Sequence, residues 1–352
     1  MKAHRGAVYC AQRMLKKHFE TLKEKAFQVW GHRAFAALLA AFGVLALVAL
    51  LHAAVFGPPS DDGTREDFVV APGQTLGEIA AALQDAGFVK NELAFRVAYE
   101  AVRGEDTVRP GGYALSRDRD AWATAKVLAE APRLAYVKVS AGMRKEEIAE
   151  LLAEALGWTD ATVAEWLAVD TEPGAGFAEG VYYPDTYLIP SDQPPSEVAA
   201  RMRGRFEEAF APYALEAEAQ GMAWTDVVTL ASLIEKEAGK RDKALVAGIL
   251  RNRLDRDMLL QVDATLQYLA GTPEDWWPLP DPDDKYDDSP FNTYRHTGLP
   301  PHPIANPSLA SIEAVLSPQA TNCLYYLHDL YGRIHCSTNY RAHVANVNRY
   351  LR

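Results

Sequence analysis

The sequence predicts an α+β chain behind a single N-terminal transmembrane helix, and three observations carry that expectation. Residues 34–56 form an uncharged apolar run, a strand–glycine–helix pattern then occurs twice, and helical periodicity dominates from residue 194 onward. The chain has 352 residues, 49% hydrophobic and 24% charged, which supplies packed cores and excludes bulk disorder.

The apolar run reads AFAALLAAFGVLALVALLHAAVF and contains no Lys, Arg, Asp or Glu. About 20 such residues span the hydrocarbon core of a bilayer. A cleaved signal peptide would have a shorter apolar region and a shorter basic lead, so an uncleaved anchor is expected. Residues 1–33 hold eight Lys/Arg against Glu20 and Glu24, a charge of +6, leaving −17 for the rest of a chain whose net charge is −11. The positive-inside rule then keeps residues 1–33 in the cytoplasm and places everything after Gly57 outside. An acidic body excludes nucleic acid as the ligand, because phosphate binding wants a basic face.

In this topology Cys10 is cytoplasmic, whereas Cys323 and Cys336 lie outside, where oxidation is permitted. Spacing alone leaves open a disulfide or two buried thiols. No Cys-x-x-Cys or paired-histidine spacing occurs, so neither a metal nor a cofactor is expected.

Residues 57–66 (GPPSDDGTRE) read as a polar linker. Beyond it, Val70–Ala80 matches Val139–Ala149 at an offset of 69. Each copy reads as a strand, a glycine turn (Gly73, Gly142) and an amphipathic helix, with the stripes Leu76, Ile79, Ala80, Leu83 and Met143, Ile148, Leu151, Leu152. A turn with positive φ explains the glycines. Helical patterns at Asn91–Val102 and Asp120–Ala131 and a strand at Gly112–Leu115 complete the first unit. The expected units are 67–135 and 136–193. They resemble LysM-type carbohydrate-binding modules; an ordinary small α+β unit is the alternative.

Residues 194–352 form the third expected unit, richer in helix, with helices near Ser196–Phe210, Trp224–Ala238, Arg241–Leu254 and Ala310–Leu316. The Pro-, Asp- and Trp-rich stretch Thr272–Pro307 interrupts them, and irregular segments that long in compact domains are usually functional.

The segment Asp226–Gly239 is the most informative. Asp226 suits an N-cap and Gly239 a C-terminal stop. Val227, Leu230, Ala231 and Ile234 mark the buried stripe, and Glu237 extends it, so its carboxylate stands at the apolar margin in the last helical turn. Burial and the helix dipole both push a carboxyl pKa upward there, as a general acid working near neutral pH requires. Glu235 lies on the opposite margin and Lys236 points away; the alternative is that both glutamates are ordinary solvated residues. Asn252–Leu254, Leu260–Tyr268, Ser289–Tyr294 and Gly298–Ile304 add amides, hydroxyls and aromatic rings, the mixture from which sugar clefts are built.

The runs TLASLIEKEAG, ALVAGILRNRLDRDMLLQVDATLQY and SPFNTYRHTGLPPHPIANPSLASIEAVLSP, with APGQTLGEIAAALQDAGFV and EGVYYPDTYLIP upstream, together resemble the endolytic murein transglycosylase family (MltG, also called YceG-like). The resemblance extends from about Val69 to the C-terminus and includes the single N-terminal span. It implies that residues 194–352 are the catalytic domain and that Glu237, the second Glu of the family's Glu-Lys-Glu-Thr motif, is the catalytic residue. Ala238 replaces that Thr. His343 matches the C-terminal motif, but His335 is shifted by one position and Cys336 takes the aromatic place, so His335 reads as a core or loop histidine. The residues expected to bind substrate are Glu235, Asn252, Gln261, Asp263, Thr265, Asn292, Tyr294 and His343.

The implied reaction is cleavage of the MurNAc–GlcNAc bond within nascent peptidoglycan strands, leaving 1,6-anhydro-MurNAc ends and terminating glycan elongation. Hydrolytic glycosidases use two carboxylates; here the sugar's own 6-hydroxyl is the tethered nucleophile. The resemblance also implies a bacterial cytoplasmic-membrane location with the catalytic domain outside, beside peptidoglycan synthases. Two rivals stand next to it: a muramidase-like hydrolase using Glu237 and Asp263, and a catalytically silent wall-binding anchor.

Overall fold

The computed structural model describes residues 20, 37–104, 107–169, 179–239 and 241–351. Apart from Glu20, the expected basic segment 1–33 and the start of the apolar run lie outside the described residues. The first helix, α1 (Ala37–Phe56), has a mean hydropathy of 2.5 and no fully buried residue. Its apolar side chains, including Leu38, Phe42, Leu45 and Leu50, are exposed along its length.

Two compact units follow. The first comprises the chain up to Arg109 together with Tyr113–Ala131. It contains β1 (Glu66–Val70), α2 (Leu76–Asp85), α3 (Glu92–Arg103), most of β2 (Gly111–Leu115) and α4 (Ala121–Ala129). Gly73 takes φ +85°, and Thr75 then caps α2 in a reciprocal capping box with Glu78. Ile79, Ala80 and Leu83 turn inward onto Phe95, Tyr99, Tyr113, Leu115 and Leu128. The structure corrects the linker boundary, because Glu66 already belongs to β1 and is paired with the Arg117 guanidinium.

The second unit comprises Pro110–Gly112 and everything from Pro132. In order it holds β3 (Leu134–Lys138), α5 (Lys145–Leu156), α6 (Asp160–Ala168), β4 (Thr186–Pro190), α7 (Pro195–Ala219), α8 (Trp224–Glu237), α9 (Lys243–Leu254) and α10 (Asp263–Ala270). A 3₁₀ turn at Pro282–Tyr286, α11 (Leu309–Leu316), the hairpin β5 (Tyr325–His328) and β6 (Ile334–Ser337), and α12 (Tyr340–Tyr350) complete it. β3 runs antiparallel to β4 with Tyr136 opposite Leu188, and β5 antiparallel to β6 with Tyr326 opposite Cys336. Gly142, between β3 and α5, takes φ +82°, so both repeat glycines occupy the turn the sequence required of them.

The division falls at Ala131/Pro132, and segments 136–193 and 194–352 share one unit, whereas the sequence set boundaries at 135/136 and 193/194. A buried polar knot explains the union. Asn306, fully buried, donates through Nδ2 to the Met143 carbonyl (2.9 Å) and to Glu179 Oε1 (3.0 Å), and accepts at Oδ1 from Tyr182 N–H (2.7 Å). Its backbone exchanges hydrogen bonds with Gly142 and Met143. Glu179 accepts in turn from the N–H groups of Lys145 (2.8 Å) and Gly180 (3.1 Å). Burial pushes the Glu179 carboxyl up to about 8, against the pull of these donors.

Two cores flank the knot. One packs Val137, Ile148, Leu152, Trp166, Ile189 and Met202; the other gathers α8 with Val246, Leu250, Leu260, Val262, Ile304 and Ile312. Every α8 residue from Val227 to Ile234 is buried, polar Thr229 and Ser232 included. This corrects the single-stripe expectation: α7, α9, α10 and α11 all pack on α8, so it is a central helix without a solvent face along this stretch.

Gly180 takes φ +83°, and a Cβ there would lie 2.5 Å from Pro303 Cβ and 3.1 Å from Val228 Cγ1. Gly180→Ala is expected to cost about 2–4 kcal/mol, from left-handed strain plus overpacking. Gly157 (φ +69°) meets nothing within 4 Å, and Gly157→Ala should cost only about 1 kcal/mol. Urea midpoints of both variants against the parent check this; equal losses would show that the Pro303 contact contributes nothing.

Candidate active site

α8 begins at Trp224 with Ala223 at its N-cap position and ends at Glu237. Asp226 sits in the first turn instead of capping it, and the helix stops because Ala238 turns extended (φ −94°, ψ 143°), not through a left-handed Gly239. Glu235, Lys236 and Glu237 therefore leave the core at its rim.

Their surroundings push the two glutamates apart. Glu235 Oε2 accepts from Lys243 Nζ (2.7 Å), from Ser308 N–H (3.0 Å) and from the hydroxyls of Ser308 and Ser311 (2.6 Å each). Burial opposes its ionisation, but Lys243 and the serine hydroxyls outweigh that and hold its carboxyl below the ordinary range. Glu237 is the reverse. Burial raises it, and the hydrogen bonds from Tyr326 and Ala264 only partly offset this. The residue keeps an open edge toward solvent while its carboxyl is surrounded by protein. Its Oε2 accepts from the Tyr326 hydroxyl (2.9 Å) and its Oε1 from Ala264 N–H (3.3 Å) at the start of α10. Lys236, between them, donates to the Gly142 carbonyl (3.3 Å) and lies 3.4 Å from the Trp277 ring centre, and burial lowers its ammonium to about 8.

Two scaffolds hold Glu237's partners. Tyr326 lies on β5, and a Cys323–Cys336 disulfide (Cα–Cα 5.8 Å) closes this hairpin. Asn252 Nδ2 donates to the carbonyls of Thr321 (2.7 Å) and Cys323 (3.1 Å), and Arg253 Nε to that of Leu324 (2.6 Å). On the other side Arg253 Nη1 holds the carbonyl of Leu260 (2.7 Å), ahead of α10. His328, edge-on to the Tyr326 ring, is fixed by Asp242 (2.7 Å).

Among the expected binding residues, Gln261, Asp263 and Tyr294 lie together around the start of α10. Gln261 is exposed at φ +50°, its N–H bonded to the Thr293 carbonyl (3.0 Å). Asp263 is exposed, immediately before Ala264, and accepts from the Tyr294 hydroxyl. The others face inward. Thr265 is fully buried, its hydroxyl on the Val262 carbonyl (2.7 Å) and against Thr293. Asn292, also fully buried, donates to the Asp287 carbonyl (2.7 Å) and accepts from Tyr294 N–H (2.9 Å). Glu235 and Asn252 are committed as described. His343 stacks on Tyr325 at 5.5 Å, and burial lowers its pKa. As direct ligands, Glu235, Asn252, Thr265 and Asn292 are thus corrected by burial or committed hydrogen bonds: they build the walls. His335 is a hairpin residue, bonded to Asp329 (3.0 Å) and stacked on Tyr350.

The irregular stretch after α10 is pinned to α5. Trp276 and Trp277 donate their indole N–H groups to Glu150 (3.0 Å) and Glu147 (2.9 Å), and the Arg144 guanidinium lies 4.2 Å over the Tyr268 ring. Sequence reasoning missed Tyr326, Arg253, Lys243, Asp242 and His328. The aromatic-rich Tyr325–His328 run was a readable strand signal; nothing local marked the rest.

The raised Glu237 carboxyl, held by a hydroxyl and a backbone N–H with Asp263 and Tyr294 close by, is a group able to give and take a proton, and it sits on an α+β scaffold. Residues 68–349 match the model of the YceG-like family, and the chain belongs to that family. It is similar to the endolytic murein transglycosylase of Streptococcus pneumoniae serotype 2 (strain D39), 27% identical over 355 residues, covering 90% of this chain and 64% of that protein. It is 28% identical over 314 residues to the protein of the same name from Bacillus subtilis (strain 168), covering 83% and 86% of the two chains. A crystal structure of a YceG-like protein from Listeria monocytogenes aligns with a TM-score of 0.57 at 25% identity, covering 80% of this chain and 98% of that one. The chain therefore spans under two thirds of the streptococcal relative's length.

The Lys243–Glu235 pair is 13% exposed on each side. Lys243→Met, which leaves that carboxylate unpaired, is expected to cost about 3–5 kcal/mol. Adding Glu235→Gln should recover part of the loss in a urea double-mutant cycle; an unchanged midpoint for Lys243→Met would refute the role given to the pair.

Proposed function

We propose that this chain is an endolytic lytic transglycosylase of peptidoglycan, with Glu237 as general acid and then general base. The observation that carries the reading is Glu237 itself, a half-buried residue at the end of α8 whose carboxyl is raised by burial. The names of the curated relatives supply the substrate. Glu237 gives its proton to the glycosidic oxygen as the bond from MurNAc C1 breaks, and the electron pair leaves with the GlcNAc oxygen. The 6-hydroxyl of the same MurNAc then bonds to C1 and returns its proton to Glu237, so no water is consumed. Asp263, Tyr294 and Gln261 orient the sugar, and the buried Thr265, Asn292, Asn252 and Glu235 hold those walls in place.

We further assign α1 as a single-pass anchor in the bacterial cytoplasmic membrane, with residues 1–33 inside and everything after Gly57 outside. The Cys323–Cys336 disulfide supports an oxidising compartment for the second unit. The strand–Gly73–helix motif supports a LysM-like, glycan-binding role for the first unit. In such a place the enzyme meets nascent strands beside peptidoglycan synthases and terminates their elongation.

A second reading has one observation in its favour. Asp263 immediately precedes the N–H group that holds Glu237, where a hydrolase would station its second carboxylate.

The test uses the full chain in detergent with un-crosslinked glycan strands and mass spectrometry of the products. Internal cuts with 1,6-anhydro ends are expected, and a loss of at least about a hundredfold in rate for Glu237→Gln. Reducing ends that vanish in Asp263→Asn would establish the hydrolase instead. Binding without new ends in either protein would leave a silent anchor.

A further inference from the structure

The proposed cycle asks one carboxyl to be an acid in its first half and a carboxylate in its second. A partner that only donates favours the carboxylate throughout, and a partner that only accepts favours the acid. Ala264 N–H, on Oε1, can only donate. A phenol hydroxyl does either by turning about its C–O bond. The hydroxyl on Oε2 belongs to Tyr326, at 2.9 Å.

We propose, building on the Glu237 reading, that Tyr326 is the positioning residue that fits Glu237 to both halves of the reaction. With Glu237 protonated, the phenol oxygen accepts from the carboxyl and holds its proton beside the cleft. As the proton moves to the glycosidic oxygen, the Tyr326 hydroxyl turns and donates to Oε2, while Ala264 N–H donates to Oε1. The carboxylate is thereby held until the MurNAc 6-hydroxyl protonates it again. Every proton transferred in this step belongs to Glu237 or the sugar, and the tyrosine neither gains nor loses a proton overall.

Three features show a built arrangement. Burial first, and then the negative charge of Glu237, raise the Tyr326 phenol well above its ordinary range, so it remains a hydroxyl throughout. Its strand is closed by the disulfide and held by Asn252 and Arg253. Its ring is flanked by His328, itself fixed by Asp242. The other charged or titratable groups facing Glu237 are Asp263 from α10, Tyr294 from the loop after it, Arg253 from α9 and His328 from β5. None of them is hydrogen-bonded to the Glu237 carboxyl among the contacts described above.

Donation from Tyr326 favours the carboxylate and so lowers the Glu237 pKa. In Tyr326→Phe that pKa rises further, and the limb of kcat/KM that needs protonated Glu237 moves about one pH unit to the alkaline side. The developing carboxylate also loses a donor, so kcat at the optimum should fall about tenfold or more, with KM within about twofold. A ring-fluorinated tyrosine at 326, a better donor of nearly the same shape, should shift the limb toward acid. The experiment records pH profiles of strand cleavage for the full chain, Tyr326→Phe, the fluorinated protein and Glu237→Gln, with thermal midpoints and free-thiol counts as folding controls. Opposite shifts in the two Tyr326 proteins, with Glu237→Gln inactive, are the expected result. Unmoved profiles with Glu237→Gln inactive overturn this inference alone. An active Glu237→Gln protein overturns the underlying reading and this inference with it.

Discussion

A single buried amide, Asn306, sets the geometry on which the second unit depends. Its side chain reaches Met143, Glu179 and Tyr182, and its backbone reaches Gly142 and Met143. Each such bond contributes only about 1 kcal/mol net, but leaving a buried partner unsatisfied costs about 1–3 kcal/mol. The knot is therefore conserved as a whole or lost as a whole in energetic terms. Its influence reaches the site through a short run of chain. Two residues beyond Asn306, Ser308 binds Glu235 with both its N–H and its hydroxyl, and Glu235 lies two residues from Glu237 on the same helix.

The rim of α8 shows how little sequence distance is needed to separate roles. Glu235, Lys236 and Glu237 differ in solvent access less than in partners. Glu235 meets an ammonium and two hydroxyls and stays charged. Lys236 meets an aromatic face and a carbonyl, and burial pulls its pKa down to about 8. Glu237 meets one phenol and one backbone N–H, too little to offset its burial. The functional assignment follows from partner count and donor type, which three consecutive letters do not reveal.

Much of the scaffold was legible for physical reasons that act locally. The glycine turns before α2 and α5 needed positive φ, and both glycines have it. Apolar periodicity placed α8, α9 and α11 to within about two residues, the usual precision of helix boundaries. The position of Glu237 at the apolar margin was readable because helix phase is a short-range property. What escaped was long-range pairing. Thr265 and Asn292 looked like sugar ligands because their chemistry suits sugars, yet both spend it inside the protein. Tyr326 lies 89 positions from Glu237, and only the folded hairpin brings them together. The tie between segments 136–193 and 194–352 was likewise beyond local reading, since the Glu179–Asn306 bond spans 127 positions.

The burial of α8 on every side has a mechanical consequence. A helix with a free face can slide or rotate a little to absorb a change in length, but this one is packed from Val227 to Ile234 and tethered at Glu235. Each residue added to an α-helix advances its angular phase by about 100°. One residue inserted anywhere between Val227 and Ile234 would thus force a choice. Either the packed stretch keeps its phase and a bulge forms, or the carboxyl of Glu237 swings away from Tyr326. The helix acts as a keyed shaft whose length cannot vary by a single step without turning the chemistry away from its cleft.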